Sequence, residues 1–106
     1  MVRAISCLLV LVVCPALHAQ TFVQVNSAGP SSASHVSVTY TQAQVSGDLN
    51  VVVVGWKDTL ATVSSVTDTA GNVYTLGLGP TILSSQLTQS IYFAKNIVAA
   101  PAGSNA

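Results

Sequence analysis

Four consecutive valines constrain the fold of this chain more than any other feature. They lie within the segment Leu49–Trp56 (L-N-V-V-V-V-G-W), which directly follows the turn-forming residues Ser46-Gly47-Asp48. The run is short, β-branched and bounded by turn formers, which favours a strand over a helix. Successive side chains of a strand point to opposite faces, so this strand is apolar on both faces and needs cover on both. We therefore predict that it is the central strand of a β-sandwich.

Further segments are predicted to be strands that partner the valine strand, because they alternate or are rich in β-formers. They are Thr21–Asn26, His35–Thr41, Val63–Thr67, Val73–Leu78 and Ser90–Ile97. Gly79-Pro80 is expected to end the fourth of these segments. Residues 81–89 are either a loop or a frayed edge strand. Together, these segments predict an all-β, antiparallel, two-layer sandwich.

The N-terminus has the layout of a secretory signal peptide. Arg3 supplies the positive start, Cys7–Val13 an apolar run, and Ala19 a small residue before a plausible cleavage site. The apolar run is too short to span a bilayer of roughly 30 Å as a helix. We predict a signal peptide over 1–19, a β-sandwich domain over 20–106, no membrane span in the mature chain, and a secreted, periplasmic or cell-envelope location.

The alternative to a cleaved signal peptide is a lipoprotein, with the lipid attached to Cys14. Such attachment sites usually have a small residue before the cysteine, where this chain has Val13. Both cysteines, Cys7 and Cys14, lie in the predicted leader. After cleavage the chain would have no thiol, and therefore neither a disulfide framework nor a thiolate metal site.

Charged residues are few, with three basic and three acidic side chains in 106 residues. Only Lys57 and Lys95 are basic in the predicted mature chain, which makes nucleic-acid binding improbable because no basic patch can neutralise phosphates. Its polar surface must consist mainly of Ser, Thr, Asn and Gln. Partners are therefore expected to be glycans or proteins at the cell surface; the oligomeric state stays open.

No constellation of catalytic residues is apparent. Glycoside hydrolysis needs two carboxyl groups about 5 to 9.5 Å apart, but Asp48 and Asp58 lie at opposite ends of one predicted strand, roughly 33 Å apart in an extended chain. His35 is the one histidine after the leader, and no G-x-S-x-G motif accompanies it. We predict that the chain is not an enzyme and takes no cofactor.

Asp48 and Asp68 form the one weak metal-site candidate. The two aspartates would meet if the strand before Asp68 paired antiparallel with the valine strand, and two carboxylates could then contribute to a calcium site. Aspartate is also the ordinary residue of turns. We therefore predict no metal centre and keep the pair as a candidate only.

Trp56 is the sharpest candidate for ligand binding, because it ends the valine strand next to Gly55, where its ring could stack on a sugar. The alternative interpretation is that Trp56 closes one end of the sandwich, with its indole N–H bonded to a carbonyl.

The segment D-T-A-G-N-V-Y-T, residues 68–75, is predicted to begin with a hairpin turn. Gly71 and Asn72 tolerate positive φ, and Asp68 can bond its own backbone. The segment resembles a hairpin found in bacterial extracellular β-sandwich modules of the Ig-like or jelly-roll type. The resemblance implies a fold class and an extracytoplasmic location, and it transfers no catalytic residues.

Three functional hypotheses follow. The first is a non-catalytic extracytoplasmic module for adhesion, spacing or glycan/protein contact. The alternative is the accessory N-terminal domain of a larger secreted hydrolase, and the third is a self-assembling surface protein. Because residues 99–106 have turn composition directly after a strong strand, we expect the sandwich to be incomplete at its C-terminus; a disordered tail is the other interpretation.

Overall fold

A computed structural model describes residues 20–106; the predicted signal peptide and Cys14 lie outside the described residues. Three strands form within this part of the chain: β1 (Leu49–Trp56), β2 (Thr75–Leu83) and β3 (Leu87–Lys95). They make one antiparallel sheet, and no helix occurs among residues 20–106. The predicted all-β class is confirmed. The described residues show one sheet of three strands and not a complete two-layer sandwich.

The sheet has the strand order β1-β3-β2, so β3 and not β1 is the central strand. The predicted bounds of β1 are confirmed, and it pairs with β3 in continuous register from Leu49–Lys95 to Trp56–Thr88. Its predicted central position is wrong. β2 and β3 form a hairpin through the tight turn 84–86, and β1 then adds to the remaining side of β3.

β2 continues through Gly79-Pro80, where the sequence predicted its end. The chain passes these residues by shifting its register against β3 between Leu76 and Leu78 and again between Leu78 and Thr81. Gly79 has a φ of 106°, and a Cβ there would lie 2.7 Å from the carbonyl oxygen of Gln89. Glycine lets the strand bend closely over β3 without ending it.

Three other predicted strands do not join the sheet: residues 21–26, 35–41 and 63–67 form no strand. Tyr40 instead pairs with the C-terminal segment, donating its N–H to the Asn105 carbonyl and accepting from the Gly103 N–H, both at 2.9 Å. Gln44 and Ala100 exchange two backbone hydrogen bonds, of 2.8 and 3.1 Å. Residues 100–105 are therefore paired along 40–44, which excludes the alternative interpretation of this segment as a disordered tail.

The two faces of the sheet differ in burial. On the covered face, Asn50 is buried and Val52, Val54 and Trp56 are half-buried. On the opposite face, Leu49, Val51 and Val53 are 57, 54 and 55% exposed. The expectation that β1 is covered on both faces is thus wrong within residues 20–106.

The best-buried residues of the described chain are largely polar. Three apolar residues, Ala94, Ile97 and Ala100, are accompanied by five polar ones; these are Gln44, Asn50, Thr88, Ser90 and Asn105. A buried polar group costs free energy unless it is hydrogen-bonded. Every buried side-chain nitrogen and oxygen of the described residues has a partner, so hydrogen bonding and not hydrocarbon packing organises this interior.

Candidate functional site

The turn that starts at Asp68 is built as its sequence predicts. Asp68 accepts the backbone N–H of Asn72 on Oδ1 at 2.9 Å and the side-chain amide of Asn72 on Oδ2 at 2.8 Å. Gly71 adopts a φ of 78° and donates its N–H to the Asp68 carbonyl at 3.2 Å. The predicted turn is confirmed, but the predicted pairing of its two arms is not, because β2 pairs with β3 instead.

Asp68 also accepts hydrogen bonds from two distant residues. Tyr74 donates its hydroxyl to Oδ2 at 3.0 Å, and Asn105 donates its side-chain amide to the same oxygen at 3.1 Å. With the two bonds from Asn72, the carboxylate accepts four hydrogen bonds from within the chain. All of its oxygen atoms are engaged by neutral donors.

Three amides connect these donors into a closed ring. Asn105 donates to Gln44 Oε1 at 2.6 Å, Gln44 donates to Asn50 Oδ1 at 2.8 Å, and Asn50 donates to the Tyr74 hydroxyl at 3.1 Å. These hydrogen bonds run in one direction from Asn105 to Tyr74, which donates to the carboxylate of Asp68, and the direct bond from Asn105 to Asp68 closes the ring. We call these five residues the Asp68 ring. Hydrogen bonds aligned in one direction polarise and strengthen one another.

The C-terminal segment docks on the same turn through further contacts. Ala70 donates its N–H to Asn105 Oδ1 at 3.0 Å, and Thr69 exchanges backbone and side-chain hydrogen bonds with residues 104–106. On the other side, Asn72 Oδ1 accepts the N–H of Val98 at 2.9 Å. The turn therefore holds the chain both just after β3 and at residues 104–106.

The ring sets the protonation states of its members. Burial by itself would raise the pKa of Asp68, but the hydrogen bonds from Asn72, Asn105 and Tyr74 outweigh it and hold that pKa below its ordinary value. Burial raises the pKa of Tyr74, and it also raises the pKa of the neighbouring Tyr40. The site thus holds a stable carboxylate beside neutral tyrosines at physiological pH.

The two aspartates of the weak metal candidate differ in their contacts. Asp68 reaches the start of β1 through Tyr74 and Asn50, although not by the strand pairing that the sequence suggested. Asp48 lies just before β1 and accepts the N–H of Ile97 on its backbone carbonyl. Among residues 20–106, no group of three or more His, Cys, Asp or Glu side chains is placed to hold a metal ion.

Trp56 lies apart from the Asp68 ring, at the opposite end of β1. It is half-buried, and its indole N–H donates to the Ala61 carbonyl at 3.2 Å. The loop that provides this carbonyl is held by Asp58, whose carboxylate accepts the N–H groups of Leu60 and Ala61. Trp56 lines a groove of about 250 Å³ between this loop and the covered face, together with Tyr92 and Pro80 among others.

Three members of the ring were missed by the sequence analysis, namely Gln44, Asn50 and Asn105. Asn50 carried a usable signal, since it is the one amide in an otherwise apolar strand and a buried amide needs partners. Gln44 and Asn105 carried none, because they lie 61 residues apart and in segments that resemble loops.

Comparisons with protein-family models, with curated proteins and with solved structures find no match for this chain. In addition, residues 20–106 contain no helix with the length and hydropathy of a membrane span.

Proposed function

We propose that this chain is a non-catalytic, extracytoplasmic β-sandwich module that serves adhesion, spacing or glycan/protein contact. The N-terminal residues 1–19 support export, because they combine a positive start, an apolar run and a small residue before the cut. The backbone pairing between residues 40–44 and 100–105 supports a second layer of the sandwich. The Asp68 ring joins this layer to the covered face of the sheet, because Gln44 and Asn105 bond to one another and Gln44 bonds to Asn50 of β1.

The observation that carries the proposal is the saturation of Asp68. A general acid or base needs a proton-transfer group within reach of a substrate, whereas this carboxylate accepts four hydrogen bonds from its own chain. The Asp68 ring therefore holds loops of the chain together. Hydrogen bonds between segments 37 residues apart suit a module that must keep its shape outside the cell.

The contact role is assigned to the surface around Trp56. The groove beside it is lined by aromatic, aliphatic and hydroxyl side chains and by no charged one. Neutral sugars are bound by stacking on aromatic rings and by hydrogen bonds to hydroxyl groups, which this lining offers. Charged ligands would gain little here, because Lys57 and Asp58, the charged residues that follow Trp56, do not line the groove.

Export is tested by expressing the full chain with a C-terminal tag and determining the N-terminus and location of the product. We expect a product outside the cytoplasm that begins at Gln20. A product that retains Met1 and stays in the cytoplasm would reject export.

Contact is tested separately on the exported product with an array of neutral glycans. We expect Trp56→Ala to weaken binding at least about tenfold, whereas Leu60→Ala, in the same loop and 90% exposed, should change it less than about twofold. An array without any binding would remove the glycan version and leave adhesion to protein or spacing. Hydrolysis of an arrayed glycan would overturn the non-catalytic assignment.

A further inference from the structure

One face of the sheet is apolar and uncovered within the described part of the chain. We call it the open face. Residues directly opposite one another in an antiparallel pair point to the same side, so the register defines its members. Its apolar members are Leu49, Val51 and Val53 of β1, Leu78 and Leu83 of β2, and Leu87, Ile91 and Phe93 of β3.

The members from β1 and β2 are more than half exposed, with Leu78 at 62%. Ile91 and Phe93 are half-buried because they lie on the central strand, where the ring of Phe93 packs over Gly77. These eight side chains present on the order of 600 Å² of apolar surface, which is the upper end of the range for the largest patch on a typical monomer. Patches of this size are often functional.

The open face is also uncharged at its centre. Lys95, opposite Leu49, lies at one end, and the other polar residues that the register places on this face, Thr75, Thr81 and Gln89, are neutral. A charged partner would lose hydration on such a surface without gaining an ion pair. The occupant must therefore be neutral and apolar.

We propose that a second copy of this chain covers the open face, sheet against sheet, about a two-fold axis close to Val53. A second copy presents the same neutral, apolar surface, and a two-fold interface needs a patch that complements itself. Stacked sheets pack about 10 Å apart with their strands within about 30°. This arrangement supplies the cover on the second face of β1 that its sequence demands.

The available area reaches the lower limit of what a stable dimer needs. Two open faces together bury on the order of 1,200 Å², the lower end of the range for specific protein interfaces. The N-terminal segment 20–25 flanks the Leu49 end and leaves a groove of about 690 Å³ against β1. Gln24 bonds to Gln42, which holds this segment beside residues 39–42, and its Phe22 and Val25 remain 78 and 79% exposed, so the segment does not cover the open face.

The proposal rests on neither export nor glycan contact, and its test leaves both untouched. The full chain is expressed with its own N-terminus, purified from the fraction it reaches, and studied by sedimentation equilibrium up to about 100 μM. We expect a monomer–dimer equilibrium. Val53→Lys should weaken dimerisation at least about 100-fold, because it places two ammonium groups close to the axis.

Val36→Lys is the matched control, because Val36 is also 55% exposed but lies outside the sheet. It should change the dimerisation constant less than about threefold. Val53→Thr, which keeps the β-branched shape, should weaken dimerisation about tenfold. This variant replaces Val53→Lys in the test if the lysine variant fails to fold. A wild-type monomer at the highest concentration, or equal weakening by the Val36 and Val53 lysine variants, would overturn the proposal.

Discussion

The side-chain amide of Asn105 donates a hydrogen bond to the carboxylate of Asp68 across 37 residues of sequence, at 3.1 Å. The same amide donates to Gln44 at 2.6 Å and so closes the Asp68 ring. Because Asn105 is 1% exposed, both bonds are shielded from water. This one side chain ties the turn after residue 67 to the segment that enters β1.

Replacement of Asp68 by alanine should destabilise the fold by about 2–4 kcal/mol. The substitution leaves the amides of Asn72 and Asn105 and the hydroxyl of Tyr74 without their acceptor, and unpaired donors of this kind each cost about 1–3 kcal/mol when shielded from water. The measurement is the free energy of unfolding in urea, followed by circular dichroism.

Asp48→Ala is the control for this measurement, since Asp48 is not a member of the ring. It should change the free energy of unfolding by less than about 0.5 kcal/mol. Equal losses in the two alanine variants would show that the ring contributes nothing specific to stability.

Acidification should destabilise the protein through Asp68. Its pKa is lower in the folded chain than in the unfolded chain, so the stabilisation is complete above the unfolded value of about 4 and is lost as the pH falls through the folded value. Stability is expected to be flat from pH 7 to about pH 5 and to fall below about pH 4. Thermal unfolding recorded as a function of pH measures this profile.

Asp68→Asn should flatten this acid profile without abolishing it. The remaining slope comes from Asp58, since the hydrogen bonds from Ala61 and Leu60 also lower its pKa in the folded chain. An unchanged slope in the asparagine variant would contradict the assignment of the acid transition to the ring.

Gly79→Ala should destabilise the protein far more than Gly103→Ala. Both glycines have positive φ, 106° and 72°, so an alanine costs about 1 kcal/mol at either position. Only at Gly79 would the new Cβ also clash with backbone, 2.7 Å from the Gln89 oxygen, whereas nothing lies within 4 Å of it at Gly103. We expect about 3 kcal/mol or more at Gly79 from urea unfolding. Similar losses at the two sites would contradict the close approach of β2 to β3.

Trp56→Phe should cost about 1–2 kcal/mol, because the indole hydrogen bond to Ala61 is lost and the smaller ring fills less of the groove. Trp56 is the one tryptophan of the chain, so its emission reports unfolding in the wild type and circular dichroism serves for the variant. An unfolding midpoint equal to that of the wild type would show that Trp56 does not hold the loop, which would leave it free for a ligand.

Local features of the fold were predictable from particular residues. The valine run and its flanking turn formers predicted both bounds of β1. Because successive side chains of a strand point to opposite faces, the predicted strand Ser90–Ile97 implies one face for Ile91 and Phe93 and the other for Tyr92 and Ala94, as the register shows. Asp68, Gly71 and Asn72 predicted their turn because its hydrogen bonds span only three or four residues.

The amino-acid sequence by itself determined where β1 lies, which residues share a face and how the turn at Asp68 closes, since each depends on neighbours a few residues away. The tertiary structure alone decided that β3 is central, that residues 40–44 pair with 100–105, and that Asn50 belongs to a ring with Asn105. Residues so far apart pair because their backbone groups and buried amides still lack hydrogen-bond partners once the β2–β3 hairpin has formed. No local sequence pattern shows which of the possible partners will be chosen.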